Sequence, residues 1–209
     1  METLQGRIRA GEHTRQDFKF RIDDQRKIAR TLCAFANTEG GSLLIGVKDN
    51  GKVAGCDPQE EFHMIEGAAT MFCFPPVKIE SKIWQDDFRL VLEISVPLNK
   101  PPIHKANDEQ GKRRAYIRVG DQTVVANKIT EGVWREKVRI GARPLAFEKA
   151  QLELLEIIRN QELTSLSKLY RHSALSMKEI DQLLVQLICW GVLNEIYTSE
   201  GFRYALVKD

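Results

Sequence analysis

Apolar residues recur at helical spacing after Asp23: Ile28, Leu32, Phe35 and Ala36 fall on one side of a helix predicted to run to Asn37, with Asp23 as its cap. Residues 16–22, just before it, read as a short strand. Gly40-Gly41 stops the helix with backbone geometry that other residues rarely adopt. The near-continuous apolar run over 42–48 then reads as a buried strand. Asp49-Asn50-Gly51 follows as a hairpin turn, Asn-Gly being suited to the positive φ angles of a type I′ turn, and Val53 begins the return strand. At Asp57-Pro58-Gln59-Glu60, a capping Asp, Pro at the first helical position and an acid at the third predict a helix to about Phe72, ended by Pro75-Pro76.

Residues 77–84 and 89–96 read as paired strands around Gln85-Asp86-Asp87, and 97–102 as a break. Residues 114–119 alternate like a strand, placing Ala115, Ile117 and Val119 on one face and Arg114, Tyr116 and Arg118 on the other. A helix is predicted over 131–139. This order indicates an α+β fold, an N-terminal mixed sheet with helices. The Gly- and Pro-containing stretch 141–147 has no clear period, so the sequence predicts domains at 1–143 and 144–209. The second begins with a helix over 148–160, carrying Leu152, Leu155 and Ile158, and a shorter one over 164–171. A third, over 176–190, opens with the capping box Ser176-Met177-Lys178-Glu179 and closes at Gly191. Strands over 193–197 and 203–207 then flank a turn. Three helices and a two-stranded wing outline a small C-terminal winged helix-turn-helix domain.

The 209 residues are 43% hydrophobic and 29% charged, an ordinary globular composition. No apolar run approaches the 18 or so residues of a membrane span, and no membrane partner is expected. The N-terminus has no apolar segment of an export signal, so a cytoplasmic location is expected. Cys33, Cys56, Cys73 and Cys189 form no CxxC pair and are expected to be reduced. The net charge of +2 is unevenly spread. Residues 100–147 hold 11 Lys and Arg against 5 Asp and Glu, a net of +6, whereas 36–99 carry a net of −5. Such a basic segment either is a solvated face or meets a polyanion.

Several catalytic patterns are excluded. Gly46-Val47-Lys48-Asp49-Asn50-Gly51-Lys52 has the spacing of a phosphate-binding loop, but Val53 replaces the required Ser or Thr and a turn stands where the helix should begin. His13, His63, His104 and His172 lack metal-ligand spacing, and there is no G-x-S-x-G elbow. The densest basic cluster is Lys105, Lys112, Arg113, Arg114 and Arg118, with Lys112-Arg113-Arg114 at a predicted hairpin tip after Gly111 and Tyr116 beside Arg114 and Arg118. These residues suit phosphate contact. On the third C-terminal helix, Gln182 and Gln186 have a spacing that suits adenine edges, but its net charge is −1. That helix is therefore either a weak DNA reader or a dimerisation and docking element.

Four stretches carry a resemblance: Gly11-Glu12-His13-Thr14-Arg15-Gln16-Asp17-Phe18-Lys19, the run AFANTEGG at 34–41 leading into LLIGVKDNGKVAG, Pro101-Pro102-Ile103-His104, and AYIRVGDQT at 115–123. Together, over residues 11 to about 128, they resemble the Schlafen AlbA-type family of DNA-binding domains. Two positions depart from its pattern: Asp17 stands where the family has Glu before Phe-Lys, and Asp121 where it has Ser. The resemblance implies a nucleic-acid partner, DNA rather than RNA, and a bacterial transcriptional regulator without catalysis. A homodimer is compatible with it, as duplex-binding winged helices commonly pair on two half-sites. No cofactor is required by that reading. Some Schlafen-type domains cut RNA with three carboxylates, so the resemblance also implies an alternative, a magnesium-dependent nuclease. Its catalytic and metal-binding residues would be Glu12, Asp17 and Asp49, with Lys19 steadying a phosphate. A protein-interaction module is the third reading. Gly40 and Gly41 are expected to serve the turn.

Overall fold

The computed structural model describes residues 3–98, 103–139 and 149–208. The chain divides into two compact units, Met1–Ala126 and Asn127–Asp209.

Unit 1 begins with α1 (Leu4–Ala10), an element that the hydrophobic pattern alone does not reveal. It presents only Leu4 and Ile8 to the interior; the Thr3 side chain caps its start and Gly11 ends it. Next come β1 (Gln16–Lys19), α2 (Gln25–Asn37), β2 (Gly41–Ile45) and α3 (Pro58–Met71). Then follow β3 (Cys73–Phe74), β4 (Glu80–Asp86), β5 (Arg89–Val96), β6 (Lys105–Asn107), β7 (Arg113–Val119) and β8 (Gln122–Val125). Two four-stranded sheets result, ordered β1-β2-β5-β4 and β3-β6-β7-β8. β1 and β2 run parallel, and the other pairs are antiparallel.

α2 packs on strands of both sheets and on α3. Its Leu32 and Phe35 join Leu43, Ile45, Ile65, Leu92 and Ile94 in the main core. Leu44 and Val91 alternate with these residues along β2 and β5, so they face a second cluster with Leu4 and Phe18. β2 is thus buried on both faces, which explains its unbroken apolar run. α2 is capped by Asp24 rather than Asp23; the Asp24 carboxylate accepts from the Arg26 and Lys27 amides. The Asp49–Gly51 turn also differs from the type I′ expectation. Only Gly51 has positive φ there, at 77°, and its N–H donates to the Lys48 carbonyl at 2.7 Å. This is the alternative hairpin form, an ordinary turn closed by a left-handed glycine.

Unit 2 comprises α4 (Lys128–Arg139), α5 (Lys149–Arg159), β9 (Thr164–Ser165), α6 (Leu166–His172), α7 (Met177–Cys189), β10 (Leu193–Thr198) and β11 (Gly201–Leu206). β11 lies between β10 and β9, antiparallel to both. The core joins Leu154, Ile158, Leu169, Ile180, Leu184, Leu187 and Tyr204 to Ile129 and Val133 of α4. This explains why the division falls after Ala126, earlier than the expected 143/144 boundary, which lies outside the described residues. α4 packs on α7 so closely that a Cβ on Gly132 would stand 2.6 Å from the Val185 methyl. Asn127 starts α4, its Oδ1 accepting from the amides of Ile129 and Thr130. Among the described residues no helix is long and apolar enough to cross a membrane.

Candidate nucleic-acid interface

The β6–β7 hairpin is shaped by Asp108. Its carboxylate accepts from the Gln110 and Lys112 amides at 3.0 and 2.8 Å, and Gly111 turns the chain at φ 77°. Lys112, Arg113 and Arg114 are therefore held in the open. Against a burial effect that raises it, the Lys112 amide and Arg114 hold the Asp108 carboxyl below the usual range. Arg114 Nε lies 3.3 Å from Asp108. Arg113 stacks over the Phe74 ring, its guanidinium carbon 3.9 Å from the centroid.

The polar side of α2 adds cations that the sequence reading did not single out. Arg26 lies over Phe72, two residues before Phe74, at 5.8 Å. Arg30 donates to the Asn107 carbonyl at 3.0 Å, tying α2 to the hairpin, and stands 3.6 Å from the Glu109 carboxylate. Exposed Lys27 lines, with Arg30, Glu109 and Tyr116, a shallow cleft of about 370 Å³. Arg26, Lys27 and Arg30 lie opposite the Leu32–Phe35 stripe, so the amphipathic pattern of α2 already held this signal.

Other expected contacts are turned inward. Tyr116 and Arg118 are each only 4% exposed. Their strand face, expected to meet solvent, meets α2, because Asn37 donates to the Tyr116 carbonyl and Thr38 accepts from the Arg118 amide. Burial pushes the Tyr116 hydroxyl up. The Arg118 guanidinium lies 3.6 Å from Asp17, donates to Thr123 and to the His13 carbonyl, and sits over Phe35. Lys19 pairs with Asp17 at 2.6 Å. Lys105 is half-buried on β6.

Glu12 and Asp17 are brought together, and Asp49 is not. Glu12 accepts from the Phe18 amide at 2.8 Å, and burial together with Asp17 raises its pKa. Asp17 faces Lys19 and Arg118, while Asp49 lies on the exposed turn after β2. Among the described residues, no three His, Cys, Asp or Glu side chains gather to hold a metal ion, the expected Glu12, Asp17 and Asp49 set included.

Gly40 and Gly41 sit where backbones meet. Gly40 has φ 72°, and a Cβ there would lie 2.8 Å from the Leu98 amide nitrogen. On Gly41 it would lie 2.3 Å from the Phe35 ring and 2.8 Å from the Arg15 carbonyl. The two glycines border an open cleft of about 540 Å³ that Arg7, Gln16 and Ser42 also line.

Residues 12–127 match the Schlafen, AlbA_2 family. The chain belongs to that family. The match spans nearly all of unit 1 and stops at the start of unit 2. This Schlafen AlbA_2 chain is also similar to two solved structures. One is the DIP2311 protein of Corynebacterium diphtheriae, at 22% identity and a TM-score of 0.45. That match covers 91% of this chain, which spans only 38% of the length of the Corynebacterium chain. The other is the N-terminal domain of a protein from Nitrosomonas europaea described as related to the ATP-dependent DNA helicase RecG. It shows 22% identity and a TM-score of 0.41, over 71% of this chain and 97% of that one. Within the Schlafen AlbA_2 match, Asp17 keeps a carboxylate at the departing position, and its shorter arm ends in the buried pairing with Arg118.

Proposed function

We propose that the protein is a DNA-binding regulator whose first unit holds the phosphate backbone through Arg26 and Lys27 of α2 and Lys112, Arg113 and Arg114 of the β6–β7 hairpin. The observation that carries this reading is the pair of arginines laid on neighbouring aromatic rings, Arg26 on Phe72 and Arg113 on Phe74. Stacking fixes each guanidinium plane and leaves its edge free for phosphate oxygens. Five cations that meet phosphates rather than base edges make the contact electrostatic and tolerant of sequence.

The second unit supports DNA over RNA through its element order. Helix, strand, helix, helix and a two-stranded hairpin, α5-β9-α6-α7-β10-β11, is the order of a winged helix. Its third helix is a poor groove reader here. Gln186 is held by Gln151 at 3.1 Å, and Asp181 by Lys128 and Tyr170. α4 thus occupies part of the face that would enter a major groove, which favours docking or orientation for this unit. Arg26→Ala with Lys27→Ala is expected to weaken duplex DNA binding about tenfold in a fluorescence titration. Lys52→Ala, on the turn after β2, should leave it unchanged. Equal losses in both variants, or none in either, would defeat the assignment of this face.

A further inference from the structure

The sheet β1-β2-β5-β4 ends on β4, a seven-residue strand. No Pro and no bulge interrupts it; each of its residues has its own partner on β5. Among the described residues no other strand pairs with its outer side. Most of its residues are exposed, including Ile83 at 57%. The turn leading to β5 carries Phe88, fully exposed. The opposite edge, β1, has four residues and is mostly buried. An open edge of this length invites pairing unless charge or shape prevents it.

The charges of β4 prevent some pairings and favour others. Glu80, Lys82 and Asp86 are its ionised residues. In an antiparallel pair of identical strands, a register centred on Ile83 sets Glu80 against Asp86, and one centred on Lys82 sets Lys82 against itself. Centring on Ser81 sets Glu80 against Lys82 but pairs only residues 80–82 of β4, whereas centring on Trp84 places Lys82 opposite Asp86 twice, with Trp84 facing Trp84, over residues 82–86. Opposite charges and facing aromatic residues are the cross-strand pairs that stabilise antiparallel sheets. Lys82 already lies over the Trp84 ring, with Nζ 3.4 Å from its centroid. Asp86 stands opposite Arg89 on β5, and its carboxylate accepts from the exposed Gln5 amide at 3.0 Å.

We propose that β4 is a homodimer edge: two copies of this chain pair antiparallel about Trp84, joining their sheets into one of eight strands, with Lys82 of each copy against Asp86 of the other. The assignment is independent of the basic face, which lies on α2 and the other sheet. The two-fold symmetry makes the interface self-complementary, as a closed dimer requires.

Sedimentation of the full chain tests it by charge exchange. Lys82→Glu and Asp86→Lys each set two like-charge pairs across the dimer, and each is expected to weaken dimerisation about tenfold or more. An equimolar mixture of the two variants is expected to dimerise like the parent, because both pairs in the mixed dimer are again of opposite charge. Circular dichroism of each variant matching the parent excludes misfolding. A parent that stays monomeric into the millimolar range would overturn the proposal. So would a dimer indifferent to both changes, or a mixture that remains monomeric.

Discussion

At Gly41 the chain has no space for a side chain, since the Phe35 ring and the Arg15 carbonyl occupy it. Gly41→Val is expected to lower stability by about 3 kcal/mol, read as a fall in Tm on thermal denaturation. Asp17 lies between Lys19 and Arg118 and pairs with both cations in a largely buried setting. Asp17→Ala leaves Arg118 buried without a carboxylate and is expected to cost about 3–5 kcal/mol in urea unfolding. Glu12 behaves in the opposite sense. Its pKa is raised in the folded state, so its protonated form favours folding and that contribution is lost as pH rises through the folded value. Glu12→Gln keeps an oxygen for the Phe18 amide and is expected to gain stability on the parent at neutral pH, with the gain shrinking as pH falls into the carboxylate range. A gain that grows toward acid pH would show that the carboxyl is not raised. These roles were only partly legible in the sequence. Alternation along 114–119 divides a strand into two faces but does not say which meets a helix. A buried Arg and Tyr therefore read as an exposed basic stripe. The close approach at Gly40-Gly41 was legible, because few other residues could stand there.

Among the elements, those with explicit stop and start chemistry were read well. The Ser176 and Glu179 capping box is present, with each partner bonded to the other, and Asp57-Pro58 opens α3 as expected. Ser176→Ala is expected to lose about 1 kcal/mol from unit 2 in chemical denaturation. Elements defined by long-range pairing were not legible. β3, β6 and β9 have two or three residues each and exist only because a neighbour pairs with them. α4 shows the same limit: its apolar residues Ile129 and Val133 announce burial but not the helix that buries them. Asn127 and Thr130 also bond to the Glu195 carboxylate on β10, at 2.8 and 2.6 Å, tying α4 to the sheet of unit 2.

At the scale of the whole molecule, the segment charges pointed to a basic surface but assigned it to one stretch of chain. The folded surface draws instead on two stretches, α2 and the β6–β7 hairpin, joined through Arg30 and the Asn107 carbonyl. Lys19 and Arg118 leave it by pairing with Asp17. Five cations remain, Arg26, Lys27, Lys112, Arg113 and Arg114, all exposed. The most direct test of this face is the salt dependence of duplex DNA binding, measured for the parent and for a variant with all five changed to Ala. Five phosphate contacts predict a log–log slope of about −4 to −5 for the parent, flattening toward zero in the variant. A parent affinity indifferent to salt, or a variant that keeps the parent's slope, would contradict phosphate binding through this face.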